Sequence, residues 1–398
     1  MFRNILEKTL AVFKICLFII SLLRTISIIE LIELKTSMGK IRVAIAGLGN
    51  CASALIQGIH YYRNEKEDQR VPGLMHVKFG DYHVRDLEFV AAFEVNKEKI
   101  GKKISEAIWM PPNCTPKFSE VPEIKGMVYP GPILDGVAPH MRESFHCYSE
   151  SEMKSIDVAE ILKETNAEIL VNFLPVGSEE ATRVYAQACL DAGVALANGM
   201  PTFIVSDSSK EWPKKFEAKG LPCAGDDIKS QVGATILHRV LTKLMLDRGV
   251  EIDKTYQLNV GGNTDFENMK FESRLKTKRI SKTEAVLSLM PHDVPTRIGP
   301  SDYVPFLGDR KICYLLLEGR KFGDQPLSIE VKLSVIDSPN SAGVMIDVIR
   351  ALKIARDRNI AGPLISMSSY AFKHPPVQIP DFEAREKVEA FIRGEVER

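Results

Sequence analysis

No two cysteines in this sequence have the Cys-x-x-Cys spacing, and their total is odd at seven. Single scattered cysteines exclude a disulfide framework and a zinc ribbon, and they fit reduced thiols in a cytosolic setting. The eight histidines are also spread without metal spacing, with no His-x-x-x-His pair on a helix face. Charge of one sign is missing too, since 52 Lys and Arg balance 52 Asp and Glu. The chain as a whole therefore has no general affinity for nucleic acid or anionic lipid, and local basic clusters must be judged one by one. A long uncharged hydrophobic run is lacking as well. Thr9–Leu34 is rich in Leu, Ile and Phe, but Lys14, Arg24 and Glu30 interrupt it. Its longest uncharged stretch, Ile15–Leu23, is shorter than the ~20 residues a bilayer span needs.

What is present is the composition of a soluble globular protein, 45% hydrophobic and 26% charged, and 398 residues suit two domains. Met38 stands directly before Gly-Lys and a strand, so we expect the fold to start there. Residues 1–37 are then an extension, either an upstream translation artefact or a loose amphipathic helix. Arg3 and Lys8 would suit a signal peptide, but no small-residue cleavage site follows. A membrane anchor is the remaining alternative.

Ile41–Ala46 is a short apolar run with β-branched residues, suited to a buried parallel strand. It runs into Gly47-Leu48-Gly49-Asn50-Cys51-Ala52-Ser53 and then an apolar-periodic segment through Leu55, Ile56 and Ile59. Strand, glycine turn and helix are the context a dinucleotide fingerprint requires. Gly47 makes the tight turn, Gly49 admits a pyrophosphate to the helix N-terminus, and Ala52 takes the third, small position. Leu87–Phe93 is the next strand and ends at Glu94, placed to hold ribose hydroxyls and to repel a 2′-phosphate. That favours NAD over NADP. An insertion, Tyr61–Asp86, lengthens the interval to about twice the usual ~20 residues. Ala167–Phe173, the helix Glu179–Ala192 capped by Gly193, and the strand Val194–Ala197 continue the alternation. Asn172 near a strand end, and Pro175, Ser178 and Asn198 in the loops beyond strand ends, stand where ligands collect, although turn and cap chemistry explains Asn172, Ser178 and Asn198 singly.

The second half concentrates Lys and Asp at element ends. Gly225-Asp226-Asp227-Ile228-Lys229-Ser230 is equally a helix cap and a charged ligand site. Asp265 follows another strand end. In Arg274–Glu284, Ser281 and Glu284 form a capping-box pattern that predicts a helix starting near Lys282, with free N–H groups beside several lysines. A phosphate site and a solvated face compete for this cluster, and the absence of aromatics disfavours nucleic acid. Strands are expected at Ile312–Glu318 and Ser328–Ile336, a loop at Asp337–Ser341, a helix from Ala342 to Arg356, and a lysine turn at Lys373. Asp226, Asp227 and Asp265 are oxygen ligands a hard cation could use.

Together these stretches resemble the inositol-1-phosphate synthase family in its short prokaryotic and archaeal form. The resemblance is carried by GLGNCAS (Gly47–Ser53), NFLPVGSEEA (Asn172–Ala181), NGMPTFIVSD (Asn198–Asp207) and GDDIKSQVG (Gly225–Gly233). It continues through GGNTDFENM (Gly261–Met269), KTKRISKTEAV (Lys276–Val286), YVPFLGDRK (Tyr303–Lys311), DSPNSAGVMID (Asp337–Asp347) and SYAFKHPP (Ser369–Pro376). One departure is Glu94, where the family usually shows Asp. The resemblance implies a redox-neutral cyclisation of glucose 6-phosphate to myo-inositol 1(3)-phosphate with NAD, the first step of inositol and inositol-phospholipid biosynthesis. It implies Lys278 and Lys373 at the C5 oxygen, and Lys282 and Lys311 at the aldehyde or the phosphate. Asp227 and Asp337 would orient them, with Ser230 and Asp265 also in the site. The cofactor would be held by Gly47, Gly49, Asn50, Cys51, Ala52, Glu94, Asn172, Pro175, Ser178 and Asn198. A cytoplasmic homotetramer is further implied, and a divalent or monovalent cation is left open.

The expected architecture is α/β, a doubly wound Rossmann-type sheet with an α+β domain inserted before the C-terminal segment. Residues 38–233 would bind NAD, 234–343 would catalyse and tetramerise, and 344–398 would return to the NAD-binding part. An ordinary dehydrogenase and a non-catalytic nucleotide sensor are the rival readings.

Overall fold

The computed structural model describes residues 39–142, 145–149 and 151–398. The extension 1–37 lies outside them. Among the described residues, no helix is long and apolar enough to cross a membrane.

The first half alternates as expected. β1 (Ile41–Ala46) leads into α1 (Asn50–Tyr62), followed by β2 (Leu87–Glu94) and β3 (Met127–Pro130). Then come α2 (Val158–Glu164), β4 (Ile169–Asn172), α3 (Glu179–Ala192), β5 (Ala195–Asn198), α4 (Glu211–Ala218) and β6 (Pro222–Gly225). The chain continues with α5 (Ala234–Asp247), β7 (Glu251–Gly261), α6 (Thr264–Asn268), α7 (Lys276–Leu287) and β8 (Thr296–Tyr303). β9 (Arg310–Lys321), β10 (Gln325–Ile336), α8 (Asp337–Asp357), β11 (Gly362–Pro363), α9 (Ile365–Ala371) and α10 (Asp381–Arg393) complete it.

The seven-stranded sheet runs β11-β6-β5-β4-β1-β2-β3, and its pairs are parallel. The order reverses at β1, which has β2 on one side and β4 on the other, so a crevice opens beyond their carboxyl ends. β1 and β4 are buried along almost their whole length, as a sheet covered on both faces demands. One face packs on α1 and α8 through Leu55, Ile56, Val348 and Leu352, the other on α2, α3 and α4 through Leu162, Tyr185 and Phe216. β11 comes from the C-terminal segment and pairs with β6, which returns that segment to the first sheet.

The second sheet, β8-β7-β9-β10, has β8 parallel to β7 and the remaining pairs antiparallel. Its inner face packs on α5 through Cys313, Leu315, Leu237 and Leu241. Its outer face carries Tyr256, Leu258, Val260, Ile312, Tyr314 and Leu316 in register across β7 and β9. Leu258 and Tyr314 there are 38% and 40% exposed.

Two boundaries differ from expectation. α7 begins at Lys276 rather than near Lys282, because the capping box does not form. Ser281 donates instead to the Asp227 carboxylate and to the Lys278 carbonyl, and Glu284 pairs with His374. Asp337–Ser341, expected as a loop, is the opening of α8. Pro339 lies in the first turn, where its missing N–H has no intrahelical partner to lose.

Candidate functional site

A single cleft runs from the glycine turn to the lysines, lined by Gly47, Gly49, Asn50, Cys51, Glu94 and Pro175 at one end. Asp265, Lys278, Lys282, Lys311, Asp337 and Lys373 line the other.

At the glycine turn, Gly47 has φ +86°, and a Cβ there would meet the Phe173 carbonyl oxygen at 2.7 Å. Only glycine meets both conditions. A Cβ on Gly49 would meet nothing within 4 Å, so the space beside the α1 N-terminus is open. The first amides of α1 lack intrahelical partners and face that space, so the residues fit a dinucleotide pyrophosphate. Glu94 accepts the Leu48 amide at 3.0 Å and the Val95 amide at 2.9 Å, which turns its carboxylate against the glycine turn while it still lines the cleft. Asn50 uses Oδ1 to hold the Cys114 and Thr115 amides at 2.7 and 3.2 Å, and its carbonyl accepts from the Thr115 hydroxyl at 3.0 Å. Ala52 is fully buried in the helix–sheet contact, as the small third position requires. Burial, with Asp337, Asp309 and Asp265, pushes the Cys51 thiol up to about 12.

Asn172, Ser178 and Asn198, expected at the cofactor, do not line the cleft. Asn172 Nδ2 donates to Asn198 Oδ1 at 2.9 Å and to Thr182 Oγ1 at 3.1 Å. Asn198 Nδ2 donates to Asp226 Oδ1 and to the Thr202 carbonyl, both at 2.7 Å. Arg274 Nη2 reaches the buried Ser178 hydroxyl at 3.5 Å. Buried amides need partners, and these side chains find them within the protein. They fix the β4 and β5 ends so that Phe173, Leu174, Gly199 and Met200 form the cleft wall.

The lysine end is organised around two carboxylates. Asp227, fully buried with φ +63°, receives Lys278 Nζ and Lys373 Nζ at 2.9 Å each, with Ser281 on its second oxygen. Burial works to raise its pKa, but the two ammonium groups hold it well below the usual carboxylate range. Lys311 Nζ pairs with Asp337 Oδ1 at 3.0 Å. Burial would lower Lys311, yet Asp337 holds it above its ordinary value, and Asp337 is held low in return. Lys278 is likewise raised, because Asp227 and Asp265 outweigh its burial. Lys373 goes the other way. One carboxylate cannot offset two ammonium groups, and burial with Lys278 and Lys311 nearby brings Lys373 down to about 8. Lys282 is 4% exposed and has no hydrogen-bond or ion-pair partner among the described residues. Burial and the charges of Lys311, Lys278 and Lys373 push it down to about 7.

Beside the lysines lies a small recess lined by Ser230, Gly233, Ala234, Thr235, Gln257, Asn259, Lys282, Lys311 and Lys373. Gly233 is the N-cap of α5, so the opening amides of that helix, which lack intrahelical partners, lie at this recess. The helix N-terminus expected beside Lys282 is not there, since Lys282 lies well inside α7.

Sequence reasoning overlooked several residues. Gln257 and Asn259 are fully buried on β7, and polar residues at every second strand position were the available signal. Asp309, pushed up to about 6 by burial against hydrogen bonds from Ser338 and Asn263, had no signal. Neither did Lys99, buried behind the glycine turn with its amine on the Leu48 carbonyl at 2.8 Å and Asn113 Oδ1 at 2.9 Å. Two of the three cation ligands considered from sequence are committed elsewhere, while Asp265 lines the cleft. Asp226 accepts from Asn198, Ile204 and Ser206, and Asp227 from the lysines. Among the described residues, no group of three or more His, Cys, Asp or Glu is arranged for a metal ion.

Comparison with known proteins agrees with this geometry. Residues 233–338 match the family profile described as myo-inositol-1-phosphate synthase. The chain is 54% identical over 363 residues to an inositol-3-phosphate synthase of Mycolicibacterium smegmatis, covering 89% of this chain and 99% of that one. Identity is also 54%, over 364 residues with the same coverages, to an inositol-3-phosphate synthase of Corynebacterium glutamicum. In three dimensions it resembles the crystal structure of a myo-inositol-1-phosphate synthase-related protein from Thermotoga maritima. That match has a TM-score of 0.69 at 26% identity and covers 89% of this chain and 98% of that one. With identity this high over nearly the full length of these relatives, the chain belongs to the myo-inositol-1-phosphate synthase family.

Proposed function

We propose that the chain converts D-glucose 6-phosphate into myo-inositol 1(3)-phosphate, as an isomerase that uses NAD without net oxidation. The observation that carries this reading is the convergence of Lys278, Lys282, Lys311 and Lys373 on one cleft between a dinucleotide fingerprint and a recess at a helix N-terminus. A nucleotide sensor has no use for four desolvated amines, which are costly to bury.

The α1 amides would hold the pyrophosphate, Glu94 the ribose, and the wall from Phe173 to Pro175 the nicotinamide end. When bound, NAD supplies a reversible hydride acceptor for C5 of the open-chain sugar, which makes the C6 protons acidic. Ser230, the α5 amides, Gln257, Asn259 and Lys311 would take the phosphate. Lys373, partly neutral near pH 8, removes the C5 hydroxyl proton and later returns it to the same oxygen. Lys278, kept charged by Asp227, stabilises the negative charge that develops there. Lys282, half neutral near pH 7, takes a proton from C6, the carbon that carries the phosphate ester. As C6 bonds to C1, the aldehyde oxygen receives its proton from the Lys282–Lys311 side. Asp337 holds Lys311 in place for this.

Residues 38–233 with 344–398 form the NAD-binding part in this reading, and 234–343 the catalytic and assembly part. The exposed apolar outer face of β7 and β9 supports a homotetramer built through that middle part. The free cysteines support a cytoplasmic setting. Incubation with glucose 6-phosphate and NAD⁺ tests the proposal. Inositol phosphate without accumulating NADH is expected, whereas steady NADH would indicate a dehydrogenase and no turnover a sensor.

A further inference from the structure

Lys229, Arg239 and Asp381 form a second charged cluster, and none of the three lines the cleft. Arg239, on α5, is fully buried, and its Nε donates to Asp381 Oδ2 at 2.6 Å. Its Nη1 donates to the carbonyl of Ala285, one turn beyond Lys282 on α7, and reaches Ser288 Oγ at 3.3 Å. The same Nη1 reaches Gln378 Oε1 at 3.4 Å, and Nη2 donates to the Ile379 carbonyl at 2.8 Å. Lys229, 1% exposed, donates to the other Asp381 oxygen at 2.9 Å and to the Ser369 carbonyl at 2.8 Å. Gln378 Nε2 then donates to the carbonyl of Lys373 at 2.8 Å.

Three segments meet here: Asp227–Ser230, which carries the counter-ion of the lysines; α7, which carries Lys278 and Lys282; and the turn that carries Lys373. Two buried cations with one carboxylate are expensive, and apolar packing of equal volume would usually serve stability as well. A guanidinium, with donors in a fixed planar fork, can grip separate segments at set distances, which a lysine cannot. We propose that Arg239, with Asp381 and Lys229, is a positioning centre that sets the spacing of the catalytic lysines. This rests on the cyclase reading above and extends it to residues that touch no substrate.

Three full-length variants test it: Arg239→Lys, Asp381→Asn and Gln378→Ala. Misplacing catalytic groups by about an ångström costs up to ~10²-fold, so Arg239→Lys and Asp381→Asn should lower kcat by ~10–100-fold. NAD⁺ affinity should stay at the parent value. The acid limb of the kcat/KM profile should move to higher pH, because a shift of α7 takes Lys282 away from Lys311 on β9 and Lys373 on its turn, while Lys278 moves with it on the same helix and only the loss of Asp227 acts in the opposite sense. Gln378→Ala cuts the tie to the Lys373 carbonyl and should show the same direction with a smaller loss, so it decides the matter if Arg239→Lys fails to fold. Labelling of the Lys282 and Lys373 amines by an acylating reagent, followed against pH by peptide mass spectrometry, reads their environment whether or not the chain turns over glucose 6-phosphate. Failure of the parent to form inositol phosphate would sink the functional reading alone. Unchanged kcat and unchanged amine reactivity in Gln378→Ala and Asp381→Asn, with only a lower Tm, would overturn the positioning role.

Discussion

Replacing Lys282 with Met removes an amine and keeps most of the unbranched stem. In the parent, burial and three neighbouring lysines take this group from 10.5 down to about 7. A displacement of that size corresponds to ~5 kcal/mol held against the charged form, at 1.36 kcal/mol per pH unit. The sign follows from proton binding. The unfolded lysine binds its proton up to about 10.5 and the folded one only to about 7, so parent stability rises with pH across that window. Below pH 7 both states are charged and the full penalty applies. Water entering from the cleft screens part of it, which leaves ~1–3 kcal/mol that Lys282→Met should gain at pH 6. Calorimetry should then show a Tm a few degrees above the parent at pH 6, with the difference shrinking by pH 9. Turnover should meanwhile fall by ~10²–10⁴-fold, the usual loss for a proton-transfer group. The parent's kcat/KM should rise with pH through about 7, as the free enzyme's base loses its proton. A variant that turns over at the parent rate, or one less stable than the parent at pH 6, would refute the assignment.

Lys278→Ala should retain NAD⁺ binding and lose nearly all cyclase activity, because in the proposed mechanism Lys278 would supply charge at the C5 oxygen, whereas the exposed Lys276→Ala should stay at the parent rate in the same assay. Tyr314→Lys combined with Leu258→Lys places charges on the outer face of the second sheet and should yield a smaller particle by light scattering, with an unchanged oligomer counting against assembly through that face.

Legibility followed sequence distance. β1, the glycine turn and α1 are continuous in the chain, so hydrophobic pattern and turn chemistry displayed the fingerprint and the parallel sheet directly. The lysines and aspartates were visible as polar residues crowded at element ends. How they pair was not, because Asp227 and Lys373 are 146 positions apart and Asp227 and Lys278 are 51 apart. The same separation misled local rules. Ser281 and Glu284 fit a capping box, yet each has a tertiary partner, Asp227 and His374, and the helix starts six residues earlier. Asn172 and Asn198 look like ligand residues beyond strand ends, but a buried amide satisfied by another buried amide leaves the same trace in sequence.

The two ends of the cleft also explain each other. A base that titrates near 7 requires an excess of positive charge around it, yet the substrate brings a phosphate that would cancel that excess. Lys282 keeps its low value only if the phosphate is held mainly by groups other than its own amine. Beside Lys282 and Lys373, which also line it, the recess offers Ser230, Thr235, Gln257, Asn259 and the α5 amides as neutral donors, and its Lys311 is already tied to Asp337. Neutral donors fix a dianion through hydrogen bonds without adding titratable charge. In the proposed mechanism the site would thus separate most of the binding from proton transfer. Asp227 and Asp337 each keep one amine charged, at Lys278 and Lys311, and leave Lys282 and Lys373 able to exchange protons near neutral pH.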